Sequence, residues 1–253
     1  MNLALEEALV RCASLRAGRN ILRIWRNMKA VVIGRFQCAR LEADLKACAD
    51  QGIEIVRRFS GGGAVYQDQG NLNYSLIVRK TSLGGVLSQA DFNSLILKGV
   101  VEALSYFGVS ATSDAGRSVL IGEKKLSGIA GFANSLSYFG HGTLLVNSKL
   151  QLIREVLTQV EAENIRGPVR SVPSPVINLC TLTSLPITMD KVKSGLIAGF
   201  EKVFGAEAII GKLSSKEREL AKRLYKEKYQ QEVCSPTCPV RRCLTRSVCP
   251  YTE

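Results

Sequence analysis

Residues 57–75 read RRFSGGGAVYQDQGNLNYS. This piece joins two arginines, three consecutive glycines (Gly61, Gly62, Gly63) and a short alternating segment. IEIVRR before it reads as a strand entering a turn. GAVYQ and NLNYSLIV after it read as two strands joined by a turn at Asp68-Gln69-Gly70. Three glycines in a row make an entropically costly loop. Such a loop lets backbone come close to a ligand with its N–H groups aimed at an anion. Arg58 adds a planar fork suited to phosphate or carboxylate. The glycines alone fit a flexible hairpin loop equally well; the arginine pair and flanking strands favour an anion site.

The chain around this loop has 253 residues, 46% hydrophobic and 22% charged, enough for one sizeable core. No apolar run reaches the roughly 18–20 residues of a membrane span. The first residues, MNLALEEALVRC, lack a signal peptide's basic start, so a cytoplasmic protein is expected. A formal charge of +12 implies anionic partners, although solvated Lys and Arg can also simply maintain solubility. Eight cysteines in a cytosolic chain argue against a disulfide framework. Cys12, Cys38, Cys48 and Cys180 read as buried thiols. Cys234, Cys238, Cys243 and Cys249 are spaced C-x3-C-x4-C-x5-C, and are candidate ligands for zinc or an iron–sulfur cluster. They lack paired C-x2-C units, and a disordered tail over 234–253 explains the same composition.

Elsewhere, Asn2 is expected to cap a helix through about Leu15. LEADLKACADQ reads as one helix ending at Gly52, and Asp91 should cap a helix to Phe107, stopped by Gly108. ILRIWR, AVVIGRF, SVLIG, KKLSGIAGFAN and SYFGHGTLLVN read as strands. Helices are expected over Lys149–Glu161, Met189–Phe204 and Ser214–Lys228, and RGPVRSVPSPVINL as a surface loop. The irregular order predicts α+β, with a mixed, largely antiparallel sheet flanked by helices. In GEKKLSG, adjacent Lys124 and Lys125 face opposite sides of a strand, so one can enter a site. The same pair would serve as an exposed edge guard. His141, the one histidine, sits between glycines, where a hydrogen-bonded structural role is commoner than catalysis.

Together NLALEEALV, AVVIGRFQ, the glycine stretch, GEKKLSG, HGTLLVN, VRSVPSPVINL and LAKRLYKEKY resemble the lipoate–protein ligase A family, in order and over nearly the whole chain. The resemblance implies a biotin/lipoate ligase-like catalytic domain over 1–233. It implies ATP-dependent activation of lipoate as lipoyl-adenylate, with Mg2+, and transfer to a lysine of a lipoyl-carrier domain. Arg58 and the backbone of Gly63, Ala64, Val65 and Tyr66 would hold the nucleotide, and Lys125 would contact the α-phosphate and the acyl carbonyl. Ser60, Gly61, Gly62, Asp68, Asn71, Ser127, Gly128, His141, Gly142 and Thr143 are implied as further binding residues. Gln67 stands where the family usually has His. The strand usually preceding NLALEEA is missing, and the chain stops where larger members begin an accessory domain, which implies a separate accessory subunit. Two other readings remain: an ATP-independent octanoyl or lipoyl transferase with a cysteine nucleophile, and a basic nucleic-acid-binding module. The mixed charges of the last helix and the lack of a recognised binding motif weigh against the module.

Overall fold

The computed structural model describes residues 1–13, 19–84, 87–114, 116–158 and 169–230. The cysteine tail therefore lies outside the described residues, and the expected metal site there with it. Among the described residues nine strands form two sheets. The strands are β1 (Ile21–Trp25), β2 (Ala30–Ile33), β3 (Glu54–Arg57), β4 (Val65–Gln67), β5 (Asn71–Arg79), β6 (Thr112–Asp114), β7 (Ser118–Ile121), β8 (Lys124–Ala133) and β9 (Ser137–Leu145). The larger sheet runs β1-β5-β9-β8-β7-β6 and is antiparallel throughout. The smaller runs β3-β2-β4, with β2 parallel to β3 and antiparallel to β4. Seven α-helices among the described residues accompany them: α1 (Asn2–Cys12), α2 (Ala39–Glu42), α3 (Leu45–Asp50), α4 (Gln89–Ser105), α5 (Leu150–Val156), α6 (Met189–Phe204) and α7 (Ser215–Leu224).

The alternation along β5 decides the layering. Leu72, Tyr74, Leu76 and Val78 face α4 and α6, where Phe92, Ile96, Leu97, Val100, Leu196 and Phe200 complete the main core. The intervening Ile77 packs with Phe139 against Leu9 and Val10 of α1. Every residue of β5 except Arg79 is buried, which suits a strand covered on both faces.

Three local expectations are corrected. LEADLKACADQ is two helices, because Ala43 turns extended (φ −136°, ψ 141°) to bridge Leu157. Asp44 then caps α3 through Ala47 N. Ser88, not Asp91, caps α4, with Asp91 completing a reciprocal capping box worth about 1 kcal/mol. Asn2 does not cap α1; its side chain reaches Arg26 O and Asn27 instead. The turn at 68–70 forms as expected, but β4 and β5 do not pair: they belong to different sheets. Gly70 permits this, since a Cβ there would lie 2.0 Å from Asn147 O. The polar strand β6 had no hydrophobic alternation to announce it.

Candidate active site

The glycine loop is wound around Arg58. The guanidinium donates from Nη1 to Val32 O (3.1 Å), from Nη2 to Gly61 O (2.7 Å) and Gly63 O (2.8 Å), and from Nε to Ser60 Oγ (3.1 Å). Arg58 is 5% exposed, and burial pushes its pKa down to about 10, with Glu6 opposing the shift. Arg58 thus builds the loop from inside, and its described donors are committed to protein oxygens. Gly62 has φ +90°, and a side chain there would meet Arg58 Nη2 at 2.8 Å.

A buried relay anchors the loop to the first helix. His141 Nε2 lies 2.7 Å from Ser60 Oγ, and its Nδ1 lies 2.9 Å from Glu6 Oε2. Ser75 donates to the other Glu6 oxygen (2.5 Å) and accepts from Trp25 Nε1 (3.2 Å). Burial alone would raise the Glu6 carboxyl. The charge attraction and hydrogen bond of His141, helped by Ser75, outweigh it and hold the carboxyl below the usual carboxylate range.

Beside the loop lies a cavity of about 150 Å³, between the two sheets. Ala64, Val65 and Tyr66 form one wall, Lys125 to Gly128 with Thr143 and Leu145 another. Ile153 and Leu157 supply an apolar end, and the strap Ser171–Ser174 crosses one side. Lys125 lines the cavity beside a bulge of β8 against β7, where the register shifts between Val119 and Leu120. Its backbone also pairs with the strap, donating to Pro175 O (2.8 Å) and accepting from Ile177 N (3.1 Å). The side chain folds back over Gly128, where an added Cβ would sit 2.9 Å from Nζ. Burial lowers the Lys125 pKa, and Asp114 works against that shift. Lys124 points the other way and is exposed. Ser127 is oriented by Tyr74, whose hydroxyl is 2.8 Å from Ser127 Oγ. Gly142 makes room for that hydroxyl, since a Cβ would lie 2.2 Å from it.

The fold therefore gathers Ala64, Val65, Tyr66, Lys125, Ser127, Gly128 and Thr143 around one cavity. Ser60, Gly61, Gly62, Gly63 and His141 stand behind that wall. Asp68 is a turn residue, accepting from Gly70 N (2.8 Å) and Lys149 N (2.9 Å). Asn71 is fully buried, and its side-chain amide has no hydrogen-bond partner among the described residues. Ser171 was missed at the level of sequence: its Oγ accepts from Ala64 N (2.7 Å) and from Gln37 Nε2 (3.1 Å). Nothing local marks a serine in a proline-rich loop as the partner of a glycine loop more than a hundred residues earlier; its place within VRSVPSPVINL was the available signal.

A cavity between two sheets, walled on one side by residues 64–66 and on another by a half-buried lysine, is built as an enzyme site. Residues 1–201 match the lipoyl protein ligase A/B catalytic domain, and the chain belongs to that family. Lipoate-protein ligase A subunit 1 of Thermoplasma acidophilum is 32% identical over 240 residues, covering 92% of this chain and 90% of that protein. Lipoate-protein ligase LplJ of Bacillus subtilis is 31% identical over 91% of this chain and 68% of its own length. Among solved structures, a lipoate protein ligase of T. acidophilum with bound lipoic acid superposes with a TM-score of 0.78 at 28% identity, covering 91% of both chains. A lipoate-protein ligase A bound with ATP superposes equally, at 30% identity over 91% of this chain and 90% of that one.

Proposed function

We propose that this chain is the catalytic subunit of an ATP-dependent lipoate–protein ligase, acting in the cytoplasm. The observation that carries the reading is Lys125: a lysine drawn into a cavity walled by the glycine-loop segment 64–66. A desolvated ammonium is costly without an anion, and an acyl-adenylate supplies one.

In the first half-reaction a lipoate carboxylate oxygen attacks the α-phosphorus of ATP and pyrophosphate leaves. In the second, a carrier lysine attacks the acyl carbonyl and AMP leaves. Charge builds on phosphate oxygens in one step and on the carbonyl oxygen in the other. One fixed ammonium beside both positions serves both. The backbone of Gly63 to Tyr66 holds the nucleotide, shaped by Arg58 from within. Ser127, Gly128 and Thr143 form the facing wall, and Ile153 and Leu157 its apolar end. Among the described residues that line the cavity none is a carboxylate. Among the described residues no group of three or more His, Cys, Asp or Glu could hold an ion. On this reading magnesium arrives with the nucleotide as MgATP, carried by its phosphates.

The transferase alternative needs an accessible, activated thiol. Cys12, Cys38 and Cys48 are buried, Cys180 is half-buried, and none of these lines the cavity. Burial, with Asp44 adding to it, pushes the Cys48 thiol up to about 11, opposite to what a nucleophile requires. Among the described residues no helix is long and apolar enough to cross a membrane. A bi-partite lipoate protein ligase and its E2 lipoyl domain from T. acidophilum matches at 29% identity over 91% of this chain. That likeness supports a lipoyl domain as acceptor and a second subunit as partner.

The test is lipoate-dependent ATP–pyrophosphate exchange, with and without a second subunit. Exchange that requires lipoate supports the ligase. Consumption of an acyl-carrier thioester without ATP, abolished by removing a cysteine, overturns it.

A further inference from the structure

Glu42, at the end of α2, is 1% exposed and lines no part of the cavity, yet it touches two of its walls directly and a third through Ser171. Its carbonyl accepts from Thr158 N (3.0 Å), and the next residue bridges Leu157; both partners line the cavity's apolar end. Its Oε1 forms an ion pair with Arg170 Nε (2.9 Å), and its Oε2 accepts hydrogen bonds from Ser171 N (3.1 Å) and Ser171 Oγ (2.5 Å). Through Ser171 it reaches the third wall, at the Ala64 amide.

The donor and acceptor count makes this arrangement specific. A serine hydroxyl has one proton and two lone pairs. Glu42 takes the proton, which leaves the lone pairs for the Ala64 N–H and for Gln37 Nε2, the two donors that need them. A charged acceptor makes the Ser171 hydrogen bond a strong one and sets the rotor. Gln37 in turn accepts from Gly34 N (2.8 Å), tying in the turn that crosses the glycine loop. Gly63 leaves the space, since an added Cβ would sit 3.0 Å from Ser171 Oγ. Arg170 pairs with the buried carboxylate and is itself held by Leu41 O (2.7 Å).

We propose that Glu42 is a positioning residue of this site: its carboxylate seats the Ser171 hydroxyl on the Ala64 amide and so sets the strap's distance from the glycine loop. It touches no substrate and acts through Ser171. The structural half of this inference stands on the geometry alone. Its kinetic half rests on the ligase reading, with Ala64 as part of the nucleotide wall.

The experiment uses the full chain as wild type, Glu42→Gln, Ser171→Ala and the double variant. The first readout is exchange of the Ala64 amide proton, followed by NMR. Both single variants should exchange at least about tenfold faster than wild type, and the double variant no faster than Ser171→Ala, because coupled groups are non-additive. Glu42→Asp keeps the charge for Arg170 but shortens the reach to Ser171. It should also speed Ala64 exchange, which keeps the test open should Glu42→Gln fail to fold. Wild-type exchange in the folded Glu42 variants overturns the proposal. The second readout is pyrophosphate exchange: the KM for ATP should rise at least about fivefold in each single variant, with a smaller change in kcat, and no further in the double. Multiplying losses in the double variant would show that Glu42 acts elsewhere, and overturn it. A wild-type protein without lipoate-dependent exchange would sink the ligase reading, while the Ala64 readout still decides the role of Glu42.

Discussion

Two cations divide the work at the residue scale, and their surroundings explain the division. Arg58 has several donors in a plane and uses them to gather carbonyls from Val32, Gly61 and Gly63. Lys125 is a point charge on a flexible stem, so it can be drawn into a cavity and follow an anion. Lys125→Ala should lower activity at least about a hundredfold, a loss of about 3 kcal/mol of transition-state stabilisation, with little change in melting temperature. Lys124→Ala should be mild, because that side chain is exposed on the other face. A pH profile tests the same residue. Burial lowers the Lys125 pKa, so the charged form is lost at a pH below the usual lysine value. The kcat/KM of the wild type should therefore fall on an alkaline limb below about 10.4, and Lys125→Arg should remove that limb. Unfolding does not explain such a fall through this group. A lysine with a lowered folded pKa destabilises the fold while charged, and that penalty is relieved as pH rises through the folded value. Circular dichroism across the same range should stay native.

At the scale of elements, the N-terminal helix is locked to the large sheet by one carboxylate. Glu6 is depressed by His141 and Ser75 against its burial, so its folded pKa lies below its unfolded value. Its stabilisation is fully present above the unfolded carboxylate value of about 4.3, and is lost as pH falls through the lower folded value. Glu6→Gln should be less stable than wild type near neutral pH, and the gap should narrow as pH drops below about 4. Urea midpoints at several pH values check this; a constant gap would separate Glu6 from acid sensitivity. A second prediction concerns the crossing of α4 and α6. An added Cβ on Gly199 would sit 2.2 Å from Gly99 O, and one on Gly99 2.5 Å from the Phe200 ring. Gly199→Ala should cost about 2 kcal/mol by forcing the helices apart, measurable by thermal unfolding. Neither glycine lines the cavity, so substrate KM values should change little.

For the whole molecule, the open question is what completes the reaction. The chain covers 90% of the Thermoplasma subunit 1 but 68% of the Bacillus ligase. On the bipartite reading, adenylate formation and transfer to a lipoyl domain by this chain alone should run at least about tenfold slower than with a second subunit present. The +12 formal charge favours an acidic partner, so the stimulation should weaken as salt rises. Full activity in both half-reactions without added protein would end the bipartite reading.

What the sequence by itself determined is the set of elements and the facing of single residues. Hydrophobic alternation located most strands. Gly52 and Gly108, both at positive φ, mark the helix ends that were read from them. The two-residue period of a strand was enough to separate Lys124 from Lys125. These are short-range properties, dictated by backbone sterics and by which side of an element must be buried. The tertiary structure alone decided which elements meet. It sent β4 and β5 to different sheets although only a tight turn separates them. It broke the helix before Asp44 so that Ala43 could bridge Leu157. It turned the donors of Arg58 inward, and brought Ser171 onto the amide of Ala64, 107 residues away. A buried hydrogen bond depends on which oxygen stands within 3 Å once the whole chain is packed. No local pattern carries that information, because the partner is chosen by the fold rather than by its neighbours in sequence.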